Sequence, residues 1–336
     1  VKIAVIGAGA WGTTLGDLLA RKGHQVALWA REHEVVEGIR KQARNAFFLP
    51  DHELSKDLKA AVSIEDALED AEATLFAVPS SHLRAVIHPL RHLFREIPCH
   101  VNVAKGLESG SGARISQILL EELGTIENSP DDKIAILSGP NLAGEVASGK
   151  IGACVVACPN EQFASSVQKI FSTAYFRVYR HSDRIGVELG GTLKNIFAIG
   201  AGIVDGLGLG DNAKAAYLTR GLHEMVRLGT RLGGRPQTFY GLSGLGDLMA
   251  TAASPLSRNH QLGVALSRGE NFSDVAGRGR VVFEGVETAR MAQEWGKRLT
   301  IPLPITEEIC RVLFDNLSPR EAARNLMSRS LKDENE

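Results

Sequence analysis

VKIAVIGAGAWGTTLGDLLARKG, residues 1–23, is an apolar run that breaks into glycines and then reopens as an amphipathic stretch. The apolar run is a strand's length. Gly7, Gly9 and Gly12 stand in G-x-G-x-x-G spacing, and Leu15, Leu18 and Leu19 share one face of the helix that follows. The spacing alone is a weak signal. Between a strand and the start of a helix it has the context of a dinucleotide-binding loop. Gly7 allows the tight turn, Gly9 lets backbone approach a pyrophosphate, and Gly12 lets helix and strand pack closely. The helix N-terminus then meets the phosphate charge. A second glycine group, GLSGLGDL (241–248), follows no strand and is not read as another such loop.

The next strand bears on the cofactor. An NAD site places Asp or Glu about 20 residues beyond the glycines, on the ribose hydroxyls. Here QVALWARE (25–32) ends its strand at Trp29, Ala30 and Arg31. Arg31 can pair with a 2′-phosphate, and no carboxylate ends the strand to repel one. Glu32 comes next and weakens the argument. NADP(H) is favoured and NAD(H) stays open.

Outward from this unit, short apolar runs at Ile3–Ile6, Val26–Trp29, Thr74–Val78, Val101–Ala104, Ile134–Leu137 and Ala153–Ala157 alternate with helical patterns such as Leu83, Val86, Ile87 and Leu90. That alternation predicts βαβ units and a mostly parallel sheet. The stretch Asn45 to Lys59 reads as a long loop. Beyond about residue 182 helical patterns follow one another without a convincing strand. One runs over Glu287 to Gly296, and another begins where Ser318 caps and Pro319 takes the first helical position. The fold class is therefore an α/β N-terminal domain, residues 1–185, followed by an all-α domain, residues 186–336.

In a parallel sheet, ligands bind outside the carboxyl ends of the strands. Three later strands are followed by VPSSH (78–82), AKGLE (104–108) and SGPNLAGE (138–145), which bring Pro79, Lys105, Gly139 and Asn141 to that edge. The helical domain starts with GVELGGTLKNIFAIGAG (186–202), where Lys194 stands among small and apolar residues. Gly190, Gly191 and Ala198 share its face of the helix. Burial disfavours the ammonium and suits a residue that gives and takes a proton. The flanking glycines are expected to clear space for a bound ligand.

Bulk properties exclude several classes. With 38 Lys and Arg against 39 Asp and Glu, the formal charge is −1, so no global field attracts nucleic acid or acidic membrane. The four cysteines are scattered without a zinc-type partner set, so no metal site is expected, and buried thiols in a reducing cytoplasm are. The N-terminus lacks the pattern of a signal peptide. The longest apolar run, Ile196 to Val204, falls well short of the roughly 20 residues of a membrane span. The chain is read as cytoplasmic.

Nearly the whole chain resembles the bacterial-type NAD(P)-dependent glycerol-3-phosphate dehydrogenases. GAGAWGT, NVAKGLE, SGPNLAGE, ELGGTLKNIFAIGAGIVDGLGLGDNAKAA, GLSGLGDLMAT and LSRNHQLG carry the resemblance. It implies a Rossmann-like domain followed by a helical one, and reversible reduction of dihydroxyacetone phosphate to sn-glycerol 3-phosphate for glycerophospholipid synthesis. It further implies that Lys194 is the catalytic proton donor and acceptor, and that Lys105 touches both cofactor and substrate. Gly139, Asn141, Asp247, Ser257, Arg258 and Asn259 match substrate positions. Ala10, Trp11, Arg31, Ala143, Arg258, Val282 and Glu284 match cofactor positions, beside Gly7, Gly9 and Gly12. The chain departs from the family pattern at Ala10, where serine is usual, at Glu32, where a second basic residue is common, at Asn141, where serine or threonine is common, and at Phe283, a bulky neighbour of Glu284. The implied partner is a small phosphorylated substrate. A homodimer is admitted but not required. Two rivals remain at this point: a β-hydroxy-acid dehydrogenase acting on a carboxylate, and an NADP-binding regulator without turnover.

Overall fold

The computed structural model describes residues 1–129, 132–278, 282–331 and 333–334. The chain divides into two compact units, Val1–Glu188 and Leu189–Glu336. In the first unit the strands are β1 (Lys2–Ile6), β2 (Gln25–Trp29), β3 (Leu58–Ala61), β4 (Ala73–Phe76), β5 (His100–Asn102), β6 (Ile134–Ser138), β7 (Gly152–Ala157) and β8 (Phe176–His181). Its helices are α1 (Ala10–Arg21), α2 (His33–Gln42), α3 (Ile64–Leu68), α4 (Ser80–Ile87), α5 (Arg91–Arg95), α6 (Ile115–Leu123), α7 (Ala143–Ala147) and α8 (Glu161–Phe171).

The strands form one sheet in the order β3-β2-β1-β4-β5-β6-β7-β8. Every pair is parallel except β6 with β7. Successive side chains of a strand face opposite sides, and both sides are covered here. Ile3 and Val5 pack with Leu15, Leu18 and Leu28 on one face, while Ala4 and Ile6 pack with Phe76, Leu83 and Phe94 on the other. The strand order reverses between β1 and β4, which is where open α/β sheets bind ligands at the carboxyl edge.

Two strands went unread in the sequence. β3 begins at Leu58, inside the stretch read as a loop to Lys59. Its short LKAA sequence carries little strand propensity and is organised by pairing with β2. In β8, FRVYRH, the inward Phe176 and Val178 alternate with exposed Arg177, Tyr179 and Arg180, a pattern that suits a sheet edge.

The second unit is built from α9 (Arg184–Gly206), α10 (Asp211–Arg231), α11 (Asp247–Ala253), α12 (Arg258–Ser267), α13 (Phe272–Ala276), α14 (Glu284–Leu299), α15 (Pro304–Phe314) and α16 (Pro319–Met327). The division between the units falls within the first turns of α9. The Ser318 hydroxyl caps α16, accepting from Glu321 N–H at 3.2 Å. At 23 residues α9 is long and apolar enough to cross a membrane by composition, but its apolar window is wholly buried within the protein. Small residues make that possible. A Cβ at Gly202 would run into the carbonyl of His260, and one at Gly263 into that of Ile199, so α9 and α12 touch backbone to backbone.

Candidate active site

In the first unit the glycine loop joins β1 to α1. Gly7 takes φ +113°, and a Cβ there would lie 2.8 Å from Ala77 O. A Cβ at Gly12 would strike the carbonyl of Gly7. Gly9 differs, since a Cβ there would meet nothing within 4 Å. Gly9 also caps α1 without any side-chain bond, so Ala10, Trp11 and Gly12 open the helix beside clear space. Two glycines are thus needed for packing, and the third leaves backbone N–H groups approachable by an anion. This cradle fits the pyrophosphate of a dinucleotide.

Asn45 holds this loop. It is wholly buried, its Nδ2 donates to Ala8 O and to Thr13 Oγ1, both at 2.8 Å, and its Oδ1 accepts from Phe48 N–H. The sequence reading passed over it. The available signal was an asparagine opening a loop, where its amide can bond nearby backbone.

Arg31 follows β2 and is largely exposed. Its Nε and Nη2 both point at Glu32 Oε1, at 3.1 and 2.8 Å. The fork expected to serve a 2′-phosphate is therefore shared with a neighbouring carboxylate. Lys105 follows β5, and its Nζ donates to Gly139 O at 3.0 Å. That carbonyl also accepts from Asn141 N–H at 2.8 Å. The Asn141 carboxamide faces the carbonyls of Pro140 and Ala153, each 3.3 Å from its amino group once the amide is oriented to suit them. Ala143 opens α7, and its carbonyl accepts from Thr14 Oγ1 at 3.3 Å. The first unit thus brings Gly7, Gly9, Ala10, Trp11, Gly12, Lys105, Gly139, Asn141 and Ala143 to the carboxyl edge of its sheet, with Arg31 at the end of β2.

The second unit gathers the rest. Lys194 lies in the middle of α9 and is buried. Its Nζ is 2.6 Å from Thr251 Oγ1 and 3.1 Å from Asp247 Oδ1. Thr251 Oγ1 in turn donates to Asp247 Oδ1 at 3.1 Å. Burial disfavours the ammonium, but the carboxylate beside it acts the other way. The sequence reading had only the first of these effects. Thr251 was missed as well. It stands one helical turn after Asp247 on α11, in GLGDLMAT, so i,i+4 spacing was the signal.

Gly190 corrects a further expectation. A Cβ there would come 3.2 Å from Gly244 Cα, so this glycine admits the wide turn Leu242–Gly246 that leads into α11. It serves the approach of Asp247 to Lys194 by packing and does not clear space for a ligand.

Ser257 caps α12, its Oγ accepting from His260 N–H at 3.2 Å. Arg258 takes the first position of that helix and is exposed. Asn259 is buried, with both ends of its amide engaged. Nδ2 donates to Asn195 Oδ1 at 3.1 Å, and Oδ1 accepts from Gly285 N–H at 3.3 Å. It therefore ties α9, beside Lys194, to the start of α14, where Glu284 is the first residue. Asn195 was not read from the sequence. Val282 and Glu284 are half-buried at that same end of α14.

Among the described residues no His, Cys, Asp and Glu group could hold a metal ion. Cys154, Cys158 and Cys310 are buried and Cys99 partly so. Burial pushes their thiols up, to about 12 in Cys99 and about 11 in Cys158.

A sequence model described as the N-terminus of NAD-dependent glycerol-3-phosphate dehydrogenase matches residues 2–164, and one for the C-terminus matches residues 183–324. A relative from Syntrophotalea carbinolica, named glycerol-3-phosphate dehydrogenase with NAD(P)+, is 45% identical over 99% of both chains. One of the same name from Carboxydothermus hydrogenoformans is 44% identical over 99% of this chain and 98% of its own. The crystal structure of a glycerol-3-phosphate dehydrogenase from Coxiella burnetii superimposes with a TM-score of 0.90 at 37% identity, covering 97% of this chain and 98% of that one.

Proposed function

The chain belongs to the NAD-dependent glycerol-3-phosphate dehydrogenase family, and from that premise we propose how its own residues share the reaction. The enzyme interconverts dihydroxyacetone phosphate and sn-glycerol 3-phosphate with a nicotinamide dinucleotide. The observation that carries the division of labour is the buried set of Lys194, Thr251 and Asp247.

When bound, a nicotinamide dinucleotide would supply the hydride chemistry at the ketone carbon in either direction. Negative charge then gathers on the former carbonyl oxygen, and Lys194 stabilises it and gives up a proton from Nζ. In the oxidative direction the same amine receives the proton. Asp247 is the counter-ion beside the amine, and Thr251 fixes the direction of Nζ by accepting from it while donating to Asp247. Lys105, steadied by Gly139 O, polarises and orients the substrate. Arg258 offers a planar fork to the phosphate. Ser257 and Asn259 set the pose of Arg258 and of α9, with Gly139 and Asn141 beside the substrate. The Gly7–Gly12 loop, with Ala10 and Trp11, takes the pyrophosphate, and Ala143, Val282 and Glu284 line the remainder of the dinucleotide.

Arg31 favours NADP(H), and its pairing with Glu32 keeps NAD(H) usable. The product supplies glycerophospholipid synthesis in the cytoplasm, and a homodimer is compatible with this role. Asn259 has both amide ends in protein bonds, which suits positioning better than direct contact with substrate.

The test is Lys194→Met, which keeps the apolar stem and removes the proton. NADPH binding, followed by its fluorescence, should stay near that of the unaltered protein. Oxidation of NADPH with dihydroxyacetone phosphate should vanish. Substantial residual turnover would assign the proton to another residue. Turnover of a carboxylated ketone in preference to dihydroxyacetone phosphate would overturn the phosphate assignment.

A further inference from the structure

Lys105 lies on a segment that connects β5 to α6, and this segment is held at both ends. At its start the Asn102 carboxamide bonds both the N–H and the carbonyl of Ala104. Beyond Lys105 the chain turns, with Glu108 N–H donating to Ala113 O at 3.0 Å, Gly112 N–H donating to Glu108 O at 2.9 Å, and Leu107 bridged to Arg114. The Glu108 side chain is then gripped from α4. Arg84 Nε donates to its Oε1 at 2.6 Å and Arg84 Nη2 to its Oε2 at 3.1 Å. Ser111 Oγ adds a third bond, at 2.6 Å.

The same guanidinium reaches α6. Nη2 donates to Glu121 at 2.7 Å and Nη1 to Glu122 at 2.9 Å, and His88 Nδ1 lies 2.9 Å from the second Glu122 oxygen. One guanidinium thus faces three carboxylates that would otherwise repel one another. Glu108 and Glu122 are mostly shielded from solvent. The hydrogen bond to Glu108 leads the causes that hold Arg84 above its usual range, and the bond from Arg84 holds Glu108 below the usual carboxylate range. A guanidinium presents its donors in a fixed planar fork, so a two-point grip sets direction as well as distance.

We propose that Arg84 and Glu108 are positioning residues for Lys105: their two-point ion pair fixes the segment that carries the lysine and so aims its ammonium at the substrate. This rests on the reading of Lys105 as a substrate contact. The lysine stem is flexible, and the 3.0 Å bond from Nζ to Gly139 O is one contact that holds its ammonium at the carboxyl edge of the sheet. A backbone shift of the segment would break that bond without touching the proton chemistry at Lys194.

The experiment is a double-mutant cycle in the full chain, with Lys105→Met, Glu108→Ala and the pair. kcat/KM for dihydroxyacetone phosphate is measured at saturating NADPH, beside the melting temperature. Glu108→Ala should lower kcat/KM by about 10- to 100-fold, the scale of a small misplacement. In the Lys105→Met background it should cost nothing further. Glu108→Gln, which keeps one acceptor but loses the charge and the second point of the grip, should recover only part of the loss. If the two losses multiply, Glu108 acts through general stability and the proposal falls. If Glu108→Ala is silent while Lys105→Met is impaired, the grip is idle and Lys105 keeps its place. If Lys105→Met is itself silent, the reading of Lys105 fails and the proposal with it. Should Glu108→Ala not fold, Arg84→Lys, which keeps charge without the fork, enters the same cycle with the same expectations.

Discussion

Lys194 Nζ and Asp247 Oδ1 lie 3.1 Å apart with both side chains almost wholly out of solvent. Removing one partner of such a pair leaves an uncompensated buried charge, which costs about 3–5 kcal/mol. Asp247→Asn should therefore lower the melting temperature as well as turnover. Thr251→Val, which removes the hydroxyl between them, should reduce kcat with a smaller change in melting temperature. An Asp247→Asn protein with unaltered stability and activity would show that the pair does not hold the ammonium.

Arg31 and Glu32 make the cofactor preference adjustable. The pair is exposed on the arginine side, so it is worth about 0–1 kcal/mol, or up to roughly fivefold in an equilibrium. Glu32→Gln should free the fork and remove a charge near the 2′-phosphate. The ratio of NADPH to NADH affinity should rise by a factor of that size, read by titrating the fluorescence of each cofactor. Arg31→Ala should lower the ratio. No change in either variant would move 2′-phosphate recognition away from β2.

Arg258 stands exposed at the start of α12. A charge-assisted hydrogen bond is worth roughly 1.5–3 kcal/mol, so Arg258→Ala should cost about 10- to 150-fold in kcat/KM for dihydroxyacetone phosphate. Dihydroxyacetone has no phosphate and should be affected much less, with cofactor saturating in both assays. Equal losses for the two substrates would make Arg258 a structural or cofactor residue.

Glu224 lies on α10 with its carboxyl at the start of α15, and it couples stability to pH. Burial pushes its carboxyl up from 4.5 to about 7, although the N–H groups of Ile305 and Thr306 and the Thr306 hydroxyl act in the opposite sense. The folded chain therefore favours the protonated form, and unfolding releases a proton between about pH 4.5 and pH 7. This contribution is full below about 4.5 and is lost as pH rises through about 7, a change on the order of 3 kcal/mol. Melting temperature should fall with rising pH across that window once other groups are accounted for. Glu224→Gln should flatten the slope. An unchanged slope in that variant would assign the dependence elsewhere.

Much of this was legible along the chain because it depends on neighbours a few residues apart. The strand, the glycine spacing and the helix face of Leu15, Leu18 and Leu19 lie within one short segment. So do the cap at Ser318 and the change from alternating strands to consecutive helices. Lys105, Gly139 and Asn141 could be placed at one edge because a parallel sheet sends the ends of its strands to the same side.

What the tertiary structure alone decided involves residues far apart in sequence. β3 is a strand because β2 offers it a partner, and its own residues specify little. Lys194 finds Thr251 across 57 positions, and Arg84 finds Glu108 across 24. Gly190 looked like room for a ligand and is filled by Gly244. A single side chain in a sequence carries its chemistry but not its surroundings. Folding supplies those by close-packing distant segments, and with them the charge state, direction and accessibility that turn a lysine into a proton donor.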